Sequence, residues 1–107
     1  MTKRPEILYG KTLRKKCNCG NLYITLNKNE KGELVEVINI LGKGGTCGKA
    51  VNEGYGRLIS MLLDLGEKPD RIIKTLKGIS CIGSSETKPS CITALAEAIE
   101  LSIEPHN

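Results

Sequence analysis

The hydrophobic pattern of this chain changes period once, and the change falls on a run of glycines, "LGKGGTCGKA" at 41–50. Upstream, "NLYITL" (21–26) alternates Leu22, Ile24 and Leu26 with Tyr23 and Thr25, the period of two that marks a half-buried strand. A polar turn with Gly32 follows, and "LVEVINIL" (34–41), rich in β-branched residues, is its hairpin partner. "KTLRKKC" offers a third strand at an edge, where its lysines discourage pairing with another sheet. Downstream, Val51, Tyr55, Leu58, Leu62 and Leu65 recur at spacings of four, three, four and three, a helical stripe over about 46–65 that Gly66 stops. Pro69 suits the first turn of a second helix, with Ile72, Ile73 and Leu76 on its apolar face, and Gly78 breaks it. Ser90 is the N-cap expected for a third helix, in which Ile92, Leu95, Ala96, Ile99 and Ile103 share a face. Strands first and helices afterwards predict an α+β fold: a small antiparallel sheet of two to three strands, followed by three helices packed on it.

The 107 residues fit one domain, residues 1–107. There is no Phe or Trp and there are three Tyr, so the core must be built from aliphatic side chains. The same shortage removes the aromatic platforms on which bases stack, which leaves a nucleic-acid partner with only the basic charge behind it. That net charge of +4 is mild, and part of it sits in Lys11, Arg14, Lys15 and Lys16. It suits phosphate-bearing partners and equally suits an ordinary solvated surface. "MTKRPEILYG" has no apolar signal region and no run is long enough to span a bilayer, so the expectation is a cytoplasmic protein. Five cysteines, an odd number, argue against a complete disulfide framework.

The glycine run is not a P-loop. With Gly48-Lys49 in register, the first glycine would fall on Lys43 and the hydroxyl on Ala50. A looser anion site survives, because Gly44 and Gly45 allow close backbone approach at the start of a helix and Lys43, Lys49 and Arg57 add charge. The alternative is that the glycines only supply turn geometry between strand and helix. Cys17-x-Cys19 is tight for a zinc knuckle, but Cys19, Cys47, Cys81 and Cys91 each stand at a junction between elements, where four thiols could converge at one end of the domain. They are equally readable as small core residues. The sole histidine is His106, beside the C-terminus, and Glu53, Asp64, Glu97 and Glu100 read as mostly solvent-facing, so no catalytic constellation is expected.

The ordered series "CGNLYITLN", "EVINILGKGGTCGKA", "GYGRLISMLLDLG", "IIKTLKGISC" and "PSCITALAEAIE" resembles the TSCPD domain, found at the C-terminus of adenosylcobalamin-dependent (class II) ribonucleotide reductases and as small stand-alone proteins. The likeness runs from about Arg4 to Ile103. It implies that Cys19, Cys47, Cys81 and Cys91 are metal ligands, with Cys17 outside the set. The naming motif survives only as Pro89-Ser90-Cys91-Ile92-Thr93, without the family's Pro-Asp. The radical chemistry of the reductase belongs to a large barrel domain and does not come with the module.

The expectation is therefore a non-catalytic module recognising a phosphate-containing ligand, a nucleotide or cyclic nucleotide, through Lys43, Gly44, Gly45, Lys49 and Arg57, beside a cysteine-bound zinc. Two alternatives stand: an accessory, partner-binding module of ribonucleotide reductase with a structural zinc, or a phage- or mobile-element-encoded protein that sequesters a nucleotide signal. A core so poor in aromatics also favours a homo-oligomer, with a ligand site between protomers.

Overall fold

In a computed structural model that describes residues 5–42, 46–81 and 83–103, three strands precede three helices: β1 (Tyr9–Cys17), β2 (Gly20–Lys28), β3 (Leu34–Leu41), α1 (Thr46–Asp64), α2 (Pro69–Leu76) and α3 (Cys91–Ile103). The sheet is antiparallel in the order β1-β2-β3. β1 is thus the third strand expected at an edge. Its register sets Leu13 opposite Ile24 and Lys15 opposite Leu22, and closes on Cys17 opposite Gly20. Leu22, Ile24 and Leu26 are buried while Tyr23 is exposed, as period two requires.

Only α3 lies across the sheet face. Its Ala94, Leu95, Ala98 and Ile99 are buried with Leu22, Ile24 and Leu26 in the core, and α2 packs chiefly on α3 through Ile72 and Ile73. Small residues at 94 and 98 let the helix sit close, which compensates for the missing large rings. Ser90 caps α3 as expected: its Oγ accepts from the Thr93 N–H at 3.2 Å and donates to the Ile79 carbonyl. α1 ends in a Schellman motif in which the Glu67 N–H reaches the Leu62 carbonyl (2.9 Å) and the Gly66 N–H reaches that of Leu63 (3.0 Å), with Gly66 at φ 92°.

α1 flanks the open edge of β3 rather than the sheet face. Its packed side is Asn52, Gly56, Ile59 and Ser60, largely small or polar, because an edge strand presents backbone that needs hydrogen bonds and close approach. The apolar stripe read from the sequence points elsewhere: Val51 is 53%, Leu58 54% and Leu65 64% exposed.

The connections divide the domain into two ends. The β1–β2 turn, the end of β3, the start of α1, the 79–90 connection and the start of α3 share one end. The β2–β3 turn, the end of α1 and the end of α3 share the other. Among the described residues no helix is long and apolar enough to cross a membrane.

Candidate functional site

All five cysteines belong to segments at the first end. Cys17 closes β1 and Cys19 lies in the two-residue turn into β2. Cys47 lies in the first turn of α1, Cys81 follows α2, and Cys91 opens α3. The Asn18 N–H donates to the Pro89 carbonyl at 3.0 Å and so ties the β1–β2 turn to the residues just before α3.

Four of the thiols lie in two neighbouring contacts. The Sγ atoms of Cys17 and Cys91 are 3.6 Å apart. The Cys81 thiol donates to Asn18 Oδ1 at 3.2 Å, and the Cys19 thiol approaches the same oxygen at 3.8 Å. Cys91 and Cys81 both act on the Cys19 thiol. The result is a thiol cluster drawn from three segments that lie up to 74 residues apart in sequence.

The electrostatics of the cluster follow from crowding. Donation to Cys91, then partial burial, then the charge of Cys91 and Cys81, push the Cys19 thiol up to about 11. Burial is the main cause that raises Cys91, opposed in part by hydrogen bonds from Cys19 and Asn52. Both effects disfavour a thiolate at Cys19 and at Cys91 unless a cation is added. The contacts are pairwise: among the described residues no three His, Cys, Asp or Glu side chains form a group ready to hold a metal ion.

The membership differs from the sequence expectation by one residue. Cys19 and Cys81 share Asn18 Oδ1, while Cys91 contacts Cys17 and not Cys47, whose side chain is exposed. A signal for Cys17 was present. It continues the inward alternation of Leu13 and Lys15 on β1, so a strand reading carried to residue 17 puts its thiol on the α3 face.

α1 begins beside this cluster. Asn52 Nδ2 donates to the Gly48 carbonyl at 2.8 Å, and Asn52 acts on the Cys91 thiol against the effect of burial. Asn39, 1% exposed, donates from Nδ2 to the Asn52 carbonyl (3.0 Å) and to Asn52 Oδ1 (3.1 Å), while its own Oδ1 has no partner. These two asparagines link the middle of β3 to the start of α1 and to the cluster.

Of the expected anion-binding residues, Lys43, Gly44 and Gly45 lie outside the described residues. Lys49 is exposed in the first turn of α1, which contains no acidic residue. Arg57 is further on, roughly 16 Å along the axis from the helix start at 1.5 Å per residue, and is paired with Glu53 at 3.0 Å. The structure thus holds Lys49 near the loop and Arg57 away from it. Glu97 and Glu100, expected in solvent, are half-buried and face Lys15 (3.7 Å) and Lys77 (2.8 Å). His106 lies outside the described residues. A cavity of about 870 Å³ with apolar walls from Tyr9, Leu13, Leu26 and Leu101 is at the opposite end of the domain from the thiols.

No curated protein and no solved structure matches this chain. A family does. The chain, with its three strands, three helices and junction cysteines, belongs to the TSCPD domain family, whose sequence profile matches residues 1–103.

Proposed function

We propose that this domain is a non-catalytic binding module, stabilised at one end by a cysteine-held zinc and taking a phosphate-bearing ligand, a nucleotide foremost, at the adjacent start of α1. The observation that carries this reading is that thiols from three separate segments lie at one end, Cys19 and Cys81 on the same Asn18 Oδ1 and Cys91 beside Cys17. An all-thiol donor set is the one zinc prefers in structural sites. Cys19, Cys81 and Cys91 supply three ligands, and Cys17 or Cys47 the fourth. When bound, the ion supplies the positive charge that turns crowded thiols into thiolates and staples three segments together. The anion site draws support from the glycine-flanked helix start, its lack of acidic side chains and the exposed Lys49.

Elemental analysis of protein purified under reducing conditions tests the metal. The expected result is one zinc per chain, replaceable by cobalt with a thiolate charge-transfer band. Cys81→Ser and Cys91→Ser each abolish the band. Comparison of Cys17→Ser with Cys47→Ser identifies the fourth ligand. Metal-free protein that also gives no band on cobalt titration defeats the reading. A thermal-shift panel of nucleotides and cyclic nucleotides tests the ligand, with Lys49→Ala expected to abolish any shift.

Family membership favours a second reading, in which the same module docks on a ribonucleotide reductase subunit. Co-purification with such a subunit, unaffected by Lys49→Ala, distinguishes it.

A further inference from the structure

The apolar stripe of α1 is only partly covered within the described residues: Tyr55 packs against the core, and the rest of the stripe stays largely exposed. Val51, Tyr55, Leu58, Leu62 and Leu65 follow the spacing of a coiled-coil seam, two heptads long. Val51, Leu58 and Leu65 are more than half exposed, Leu62 is 37% exposed, and Met61 beside them is 47% exposed. The stripe is continuous with a groove of about 330 Å³ between α1 and α2, to which Ile72 and Leu76 contribute.

From this surface we infer that the domain pairs with a second copy of itself through α1, the two helices antiparallel about a two-fold axis near Leu58. Three features select a copy of this chain over another partner. The seam and its flanking positions Gly54 and Met61 carry no charge, and of the charged groups around it Arg57 pairs with Glu53 (3.0 Å) and Arg71 with Glu67 (3.4 Å), with Asp64 at its end. A charged partner finds nothing complementary there, whereas an identical apolar stripe does. The surface is also close to self-complementary. A two-fold axis at Leu58 sets Leu58 against its own copy, Val51 against Leu65 and Tyr55 against Met61, with Leu62 over Gly54, the arrangement of an isologous dimer. Finally, the exposed parts of these side chains amount to roughly 500 Å² per copy, or about 1,000 Å² in total, which reaches the size at which specific pairing begins.

This pairing is independent of the thiol cluster. Sedimentation velocity of the full chain in reducing buffer, at micromolar concentration, tests it. The expected result is a dimer. Leu58→Lys with Leu65→Lys weakens association by about 100-fold or more with an unchanged circular dichroism spectrum, since both side chains are exposed. Leu58→Ala, a milder change, weakens it by about tenfold. Ile40→Lys, on the open face of the sheet, leaves it unchanged. A wild-type monomer overturns the inference, as does a dimer that persists in the Leu58→Lys, Leu65→Lys variant.

Discussion

The Ser60 hydroxyl bonds the Val37 backbone in both directions, accepting from its N–H at 2.9 Å and donating to its carbonyl at 3.1 Å. Val37 lies on the edge strand, and both its polar groups turn toward α1. One side chain therefore does for this residue what a fourth strand would do. Truncation of the hydroxyl leaves a buried N–H and a buried carbonyl without partners. Ser60→Ala is expected to cost about 1–3 kcal/mol, read as a lowered urea midpoint with unchanged slope, and Ser60→Thr to retain part of the loss.

The same close approach explains Gly56. A Cβ there would stand 3.0 Å from the Asn39 nitrogen, 3.2 Å from Asn39 Cβ and 3.2 Å from the Val37 carbonyl oxygen. Two of the three are backbone atoms held in the sheet, so the helix itself would have to move. Alanine gains about 1 kcal/mol of helix propensity, but overpacking of this kind costs about 1–3 kcal/mol. Gly56→Ala is expected to be net destabilising. Gly54→Ala, whose Cβ would meet nothing within 4 Å, is expected to stabilise by nearly the full propensity gain. Both are best compared in the Leu58→Lys, Leu65→Lys background, where the proposed association contributes least.

These contacts show why the fold was readable and part of its packing was not. Period two in "NLYITL" reports burial of one sheet face, and the structure places Leu22, Ile24 and Leu26 there. The cap at Ser90 and the stop at Gly66 depend on local chemistry, so the residues alone reveal them. The orientation of α1 does not follow from hydrophobicity, because the face that meets β3 is chosen by hydrogen bonding and close approach. Asn52, Gly56 and Ser60 carry that information, and a search for apolar periodicity passes over them. The placement of the cysteines at one end of the domain follows from their junction positions. The inclusion of Cys17 needed the strand register, which fixes the face a residue takes.

Asn39 gives a sharper test of the β3–α1 link. Its Nδ2 serves two acceptors of Asn52 in a fully buried setting. Asn39→Asp keeps the shape but sets a carboxylate against those two oxygens, and burying an unpaired charge belongs among the large effects of single substitutions. The expected loss at neutral pH is about 4 kcal/mol or more. Burial raises the folded-state pKa of the introduced carboxyl above its unfolded value of about 3.9. The variant is then most stable below that value and weakens as the pH rises through the folded pKa. Urea denaturation at several pH values, with wild type as control, measures the trend. A variant as stable as wild type at neutral pH would show that the link carries little energy.

The thiol cluster makes its own pH prediction for the metal-free, reduced protein. Hydrogen bonding to Cys91, then burial and the neighbouring sulfurs, hold Cys19 protonated up to about 11. The unfolded chain loses that proton nearer the ordinary thiol range, about 8.5. Between these values the folded state binds more protons than the unfolded state, so stability falls as the pH rises and is fully present only below the window. Cys91 shifts in the same direction, chiefly through burial. Denaturation of chelator-treated protein between neutral and alkaline pH should show the decline. Cys19→Ser should reduce its slope, and the Cys19→Ser, Cys91→Ser pair should nearly remove it. Zinc reverses the sign of the demand, because its ligands must be thiolates and binding releases their protons. Loaded protein is therefore expected to gain stability between about pH 6 and pH 8, where the metal-free protein stays level. Identical pH profiles for treated and loaded protein would separate the crowding of these thiols from any metal they hold.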